Sequence, residues 1–168
     1  ATVALEQGTA YTDAGATALD VVDGEVAVTT AGTVNSSTAG TYPLTYTASD
    51  SGGNAATAVT RTVTVADTTA PVISLVGSAA ISLEKDATYT DAGATATDAV
   101  DGTLTVTTTG TVDTATVGAY TLTYSVSDSS GNDAIAVTRT VTVTEVSVTD
   151  PVVTDPDDDN LLSGKVID

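Results

Sequence analysis

Residues 119–128 read AYTLTYSVSD, and residues 41–50 read TYPLTYTASD. In the first, Tyr120, Leu122, Tyr124 and Val126 take every second position; in the other, Tyr42, Leu44, Tyr46 and Ala48 do the same. Side chains alternate between the two faces of a strand, so an apolar period of two filled by aromatic and β-branched residues specifies a strand with one buried face. Each stretch is followed by a second run of the same parity. Val137, Arg139, Val141 and Val143 alternate in DAIAVTRTVTV, and Val59, Arg61, Val63 and Val65 alternate in the earlier copy.

Working outward through residues 71–114, PVISLVG, AAISLE, ATYTD, TLTVTTTG and TVDT read as further strands, punctuated by Gly, Asp, Asn and Ser. About seven short strands, with turn signals every 8–12 residues or so, predict an all-β unit of the sandwich type.

That unit occurs twice. Tyr11 onward overlays Tyr89 onward at a constant offset of 78 residues without a gap, and about 40 of the first 65 positions are identical. A 168-residue chain built this way is two small domains in series rather than one larger one. A module used in series argues for a stalk or a binding array before an enzyme.

Composition narrows the options. The chain has no Cys, His, Phe, Met or Trp, so six tyrosines carry all the aromatic bulk. No disulfide supports either core, and the first repeat has no lysine for a Lys–Asn isopeptide bond. With 22 acidic against 4 basic residues, the net charge is −18. Nucleic acid and anionic membrane need cationic patches, so neither is an expected partner. No apolar run has membrane-spanning length. Without His or Cys there is no ordinary nucleophile–base pair, and no aromatic-lined cleft surrounds a carboxylate pair that could cleave glycosides. Thr-x-Thr rows suit ice binding in principle, but threonine's β propensity already accounts for them.

An arginine inside an apolar row, one per repeat, calls for an acidic partner in its own domain. The candidates are Glu6 or Asp13 for Arg61, and Glu84 or Asp91 for Arg139. The alternative is that each guanidinium snorkels outward near the strand start.

In order, the residues spell Tyr-x-Asp-x-Gly-Ala-x-Ala-x-Asp-x-x-Asp-Gly, then Gly-x-Tyr-x-Leu-x-Tyr, Asp-Ser-x-Gly-Asn, and Thr-Arg-Thr-Val-Thr-Val. This series resembles bacterial surface immunoglobulin-like domains, with hyalin-repeat and polycystic-kidney-disease-type modules as looser relatives. It covers about residues 1–145. The resemblance implies tandem Ig-like sandwiches at an extracellular or bacterial cell-surface location, as in adhesin stalks or spacers of secreted hydrolases.

The expected organisation is a first Ig-like domain over residues 1–66, a linker at 67–70 and a second domain over 71–145. An acidic, Pro-containing linker at 146–159 and the start of a further domain, or a donor strand, at 160–168 complete it. Repeat 2 opens with a strand at Pro71–Val76 that repeat 1 lacks, since Ala1 aligns with Ala79. The expected sources of that strand are upstream sequence or a neighbouring subunit donating it by β-augmentation.

In an Ig-like topology the loop after the second strand and the loop between the last two strands lie at the domain's N-terminal pole. That gathers Asp67, Asp98, Asp101 and Asp128, with Asp133 as a weaker candidate. The repeat 1 equivalents are Asp20, Asp23 and Asp50, while Glu145, Asp150 and Asp155 could serve a following joint. Oxygen-only, carboxylate-rich ligands favour calcium among common metals. The competing reading is turn chemistry, in which each Asp caps its own loop.

A rigid stalk locked by calcium at its joints is the leading expectation. A module recognising carbohydrate or a protein receptor, or a self-assembling filament subunit, is the alternative. Expected partners are neighbouring Ig-like domains of the same chain or neighbouring subunits.

Overall fold

The computed structural model describes residues 1–147; Asp150, Asp155 and the segment 160–168 fall outside them. Six strands form the first domain: β1 (Thr2–Glu6), β2 (Ala18–Asp20), β3 (Gly24–Val26), β4 (Val28–Ala31), β5 (Gly40–Ala48) and β6 (Val59–Ala66). Seven form the second: β7 (Val72–Leu75), β8 (Ala80–Glu84), β9 (Ala94–Asp98), β10 (Gly102–Leu104), β11 (Thr107–Thr109), β12 (Gly118–Ser125) and β13 (Val137–Thr144). The described residues contain no helix, so the molecule is all-β, built as two sandwiches in series.

The two larger sheets match strand for strand. Their orders are β1-β6-β5-β4 and β8-β13-β12-β11. In each, the opening strand runs parallel to the last one, pairing Thr2 with Thr62 and Ala80 with Thr140. The alternating rows quoted above form the antiparallel centre, where Leu44 sits opposite Arg61 and Leu122 opposite Arg139. The small sheets differ. Domain 2 has β7-β9-β10, whereas domain 1 has only the β2-β3 hairpin.

Parity sets the core. Leu44, Tyr46, Val63 and Val65 are buried in the first domain, and Leu122, Tyr124, Val141 and Val143 in the second. Ile73 of β7 and Ala96 of β9 extend the second core toward the opposite sheet. The outer tyrosines of each row, Tyr42 and Tyr120, are half-buried, and their hydroxyls each donate at 2.8 Å to a backbone carbonyl, of Thr38 and Thr116.

Two expected strands do not form. Residues 87–91, ATYTD, join no ladder, and the strand lies further on at Ala94–Asp98. This segment instead serves Arg139. The chain bends around the guanidinium so that the Asp91 carboxylate and the Gly93 carbonyl both face it, and Gly93 takes φ 76°. The Gly93 carbonyl serves both neighbours, accepting from Val76 N at 3.0 Å where the β7–β9 pairing ends and from Arg139 at 3.3 Å. Residues 111–114, TVDT, likewise form no strand; Asp113 there caps its own turn by accepting from Ala115 N at 3.0 Å and Thr116 Oγ1 at 2.8 Å.

Candidate metal centre

Each inward arginine is held by a network of hydrogen bonds, three for Arg61 and five for Arg139. Arg61 pairs with Asp13 and Arg139 with Asp91. Tyr46 and Tyr124 donate their hydroxyls to the same carboxylates at 2.6 Å and 2.7 Å. The guanidinium carbons lie 5.3 Å and 5.5 Å from those two ring centroids, within cation–π range. Burial, and next the hydrogen bond to the neighbouring carboxylate, pushes both tyrosines up to about 12.

Glu6 and Glu84 are not the partners of these arginines. The parallel register sets Glu6 beside Ala66, at the entrance to the linker. There it accepts from Thr68 N at 3.0 Å and Thr69 Oγ1 at 2.9 Å, and from the Thr68 hydroxyl. These bonds, that of the Thr68 hydroxyl foremost, lower its pKa to about 2. A depressed carboxyl pKa means the clamp stabilises above the ordinary value of 4.5 and is lost as pH falls from there toward 2. Glu6→Gln is therefore expected to lower the melting temperature at pH 6, with the difference from the parent chain shrinking as the solution is acidified toward pH 2 or so. An equal difference at every pH would refute the clamp.

The linker that Glu6 holds carries Asp67, which is only 6% exposed. Asp67, Asp98 and Asp101 each point one carboxylate oxygen to a common place, with all three atoms within 4.8 Å of one another. Two loops and the linker meet there. Asp98 Oδ1 accepts from Val100 N at 2.7 Å and Asp101 N at 2.9 Å, which is an Asx-type cap. Asp101 reaches across to the other loop, accepting from Ser129 N at 2.6 Å and Ser129 Oγ at 2.8 Å. Asn132 then donates to the Asp67 carbonyl at 3.2 Å, tying that loop to the linker.

Turn chemistry accounts for only part of this. Asp67 Oδ1 accepts from Thr69 N at 3.2 Å, but Asp67 Oδ2 and Asp98 Oδ2 are buried with no hydrogen-bond partner. Unpartnered buried carboxylate oxygens are costly. Burial pushes the Asp67 carboxyl up, and the charges of Asp98 and Asp128 act in the same direction. These orphaned atoms fit a hard cation, which would take carboxylate oxygens and fill its remaining positions with carbonyls or water.

Asp128 stands next to this cluster rather than in it. Its carboxylate is spent on Ser130 N, Asn132 N and the Asn132 amide, at 2.9, 2.7 and 2.7 Å. Burial works to raise its pKa, but those bonds hold it below the usual range. Asp133 is exposed and accepts only from the Ser127 hydroxyl.

Asp20, Asp23 and Asp50 keep the same loop caps, to Val22 N and Asp23 N, to Ser51, and to Asn54. Among the described residues they do not form a second cluster with convergent oxygens.

A family model described as "Bacterial surface protein, Ig-like domain" matches residues 1–65 and again residues 73–143. The chain is also similar to the crystal structure of the lipoprotein BT2262 from Bacteroides thetaiotaomicron, with 28% identity and a TM-score of 0.42 over 47% of this chain. The match covers 40% of that lipoprotein. No curated protein matches the chain.

Proposed function

Because this chain belongs to the family of bacterial surface Ig-like domains, we propose that it is a load-bearing spacer of an extracellular adhesin or filament, stiffened by calcium at the joint between its domains. The observation that carries the reading is the buried linker acid Asp67, which has an unpartnered oxygen and sends a carboxylate oxygen to within 4.8 Å of those of Asp98 and Asp101. Calcium bound there would join the linker to the loop after β9, and Asp101 would pass the restraint to Ser129. Rotation about the linker would then break metal–oxygen bonds, so the cation converts a four-residue hinge into a fixed angle.

The tyrosines support a spacer over a glycan receptor. None of the six is exposed, and each hydroxyl is hydrogen-bonded within the chain. Sugar-stacking platforms need an aromatic face open to solvent.

Calorimetric titration with calcium and melting scans with and without chelator test the reading. At about a hundredfold excess over Kd, binding to the folded form adds roughly 2.7 kcal/mol. That is expected to raise the melting temperature of the second domain by roughly 10–20 °C, at about 4–8 °C per kcal/mol for a domain of this size. Asp67→Asn should remove most of the response, and Asp20→Asn should leave it intact. An unchanged melting temperature in calcium would eliminate the metal-locked joint.

A further inference from the structure

Tension along the chain enters the second domain through the linker at 67–70 and leaves it past the end of β13 at Thr144. Between those points it meets two strands in turn, β7 in the small sheet and β8 in the large one. β8 runs parallel to β13, pairing from Ala80 with Thr140 to Glu84 with Thr144. A load that draws β8 toward the linker and β13 away from it acts along both strands in opposite directions. The whole ladder is then strained together, and no end pair opens ahead of the rest.

β7 is the weaker of the two. It has four residues, lies at the edge of its sheet, and leaves Val72 65% exposed. The crossover that joins it to β8 runs through Val76 and Ser78, and one side chain fastens it. Arg139 Nε donates to the Ser78 carbonyl at 3.0 Å, and Nη2 donates to the Val76 carbonyl. The same Nη2 reaches the Gly93 carbonyl at 3.3 Å and Nη1 holds Asp91, so the approach to β9 is fastened to the same point. Backbone bonds close the arrangement, with Val76 N donating to the Gly93 carbonyl at 3.0 Å and Thr140 N to the Ala79 carbonyl at 2.8 Å. Arg139 is fully buried, so water cannot take over an acceptor until the guanidinium has left it.

We propose that Arg139 is a mechanical staple. It pins the β7–β8 crossover and the approach to β9 onto β13, so β7 cannot slide off β9 without first tearing the crossover from β13. The load therefore reaches the β8–β13 ladder in shear. This role rests on the spacer reading above and places a second restraint inside the domain, apart from the one at the joint. A guanidinium suits it because a rigid planar fork can hold several chain segments at once. A lysine ammonium, a point charge on a flexible stem, could stay beside Asp91 without fixing both Val76 and Ser78.

Single-molecule pulling on the 168-residue chain tests the staple, with chelator present so that the outcome is independent of a metal at the joint. The chain has no cysteine, so handles go where they are wanted. One arrangement pulls between Thr68→Cys, exposed in the linker, and the C-terminal end, which loads the second domain alone. The other pulls between Glu84→Cys, exposed at the end of β8, and the same C-terminal end, which opens the ladder from the Glu84–Thr144 pair one pair at a time. The parent domain is expected to resist linker loading at the higher force. Arg139→Lys is expected to unfold under linker load about tenfold faster or more, from the strength of hydrogen bonds to a charged group, while opening from Glu84 begins at the parent's force. Arg139→Met/Asp91→Asn, which strands no charge, should lose the same resistance and decides the matter if the lysine variant does not fold. Equal acceleration in both arrangements would reduce Arg139 to a contributor to stability and overturn the staple, as would no acceleration under linker load. Equal forces for the parent in both arrangements would overturn the shear path. A melting temperature indifferent to calcium would instead count against the metal-locked joint and leave the staple standing.

Discussion

Arg139→Met is expected to be among the most destabilising single substitutions in the chain, costing the second domain about 3–5 kcal/mol. Arg139 is fully buried and donates to Asp91, the Tyr124 hydroxyl and three backbone carbonyls, those of Ser78, Val76 and Gly93. Methionine fills much of the volume, so the penalty comes from stranding these acceptors. The largest part is the Asp91 charge, which loses its only salt-bridge partner.

A small domain has a total stability of roughly 5–15 kcal/mol, so the loss would bring it near unfolding at room temperature. Arg61→Met is expected to cost distinctly less. Its side chain is 20% exposed, and it lacks the Ser78 and Val76 contacts, so water can solvate what it leaves behind. Urea denaturation of both variants decides the matter. A second test is the double variant Arg139→Met/Asp91→Asn, which should recover part of the loss because the stranded charge is gone. Equal costs for the two arginines, or no recovery in the double variant, would contradict the account.

These residues also mark how far the sequence could be read. The central strands were legible because Tyr120–Tyr124 and Val137–Val143 alternate strictly, and alternation reports directly on which face is buried. The arginine stood out by breaking that row, and charge called for an acidic partner but left Glu6 or Asp13, and Glu84 or Asp91, open. What alternation cannot convey is strand direction or register between distant segments. The parallel pairing of β1 with β6 sends Glu6 to the linker instead of to Arg61. The same limit applies to ATYTD, which joins no ladder and whose Asp91 pairs with Arg139.

At the joint, the repeat and the loop motifs brought Asp67, Asp98 and Asp101 together on paper. They could not distinguish Asp128, which spends its oxygens on Asn132. Lone-pair accounting needs coordinates.

The second large effect concerns a close approach of two backbones that the sequence announces with a single letter. Gly32 follows β4 and Gly110 follows β11, with φ of 105° and 98°. A Cβ at Gly110 would lie 2.3 Å from the Thr121 carbonyl oxygen, and one at Gly32 would lie 2.3 Å from the Pro43 carbonyl oxygen. Both obstacles belong to backbone of the central strands β12 and β5, whose ladders to β13 and β6 hold them in place. No rotamer change relieves such a contact. The left-handed conformation alone costs an alanine about 1–2 kcal/mol, and forcing packed elements apart adds about 1–3 kcal/mol. Gly110→Ala and Gly32→Ala are thus each expected to cost about 2–5 kcal/mol in their own domains.

Gly102 separates the two contributions. Its φ is 73°, but a Cβ there meets nothing within 4 Å, so Gly102→Ala should cost only the conformational part. If Gly102→Ala and Gly110→Ala shift the urea midpoint equally, the steric argument fails and conformation alone governs these turns. If Gly110→Ala is the more damaging by 1 kcal/mol or more, roughly the low end of the overpacking cost, the strand edge at β11 is held by contact with β12. The turn could then tolerate a new side chain only by giving up part of the β11–β12 ladder.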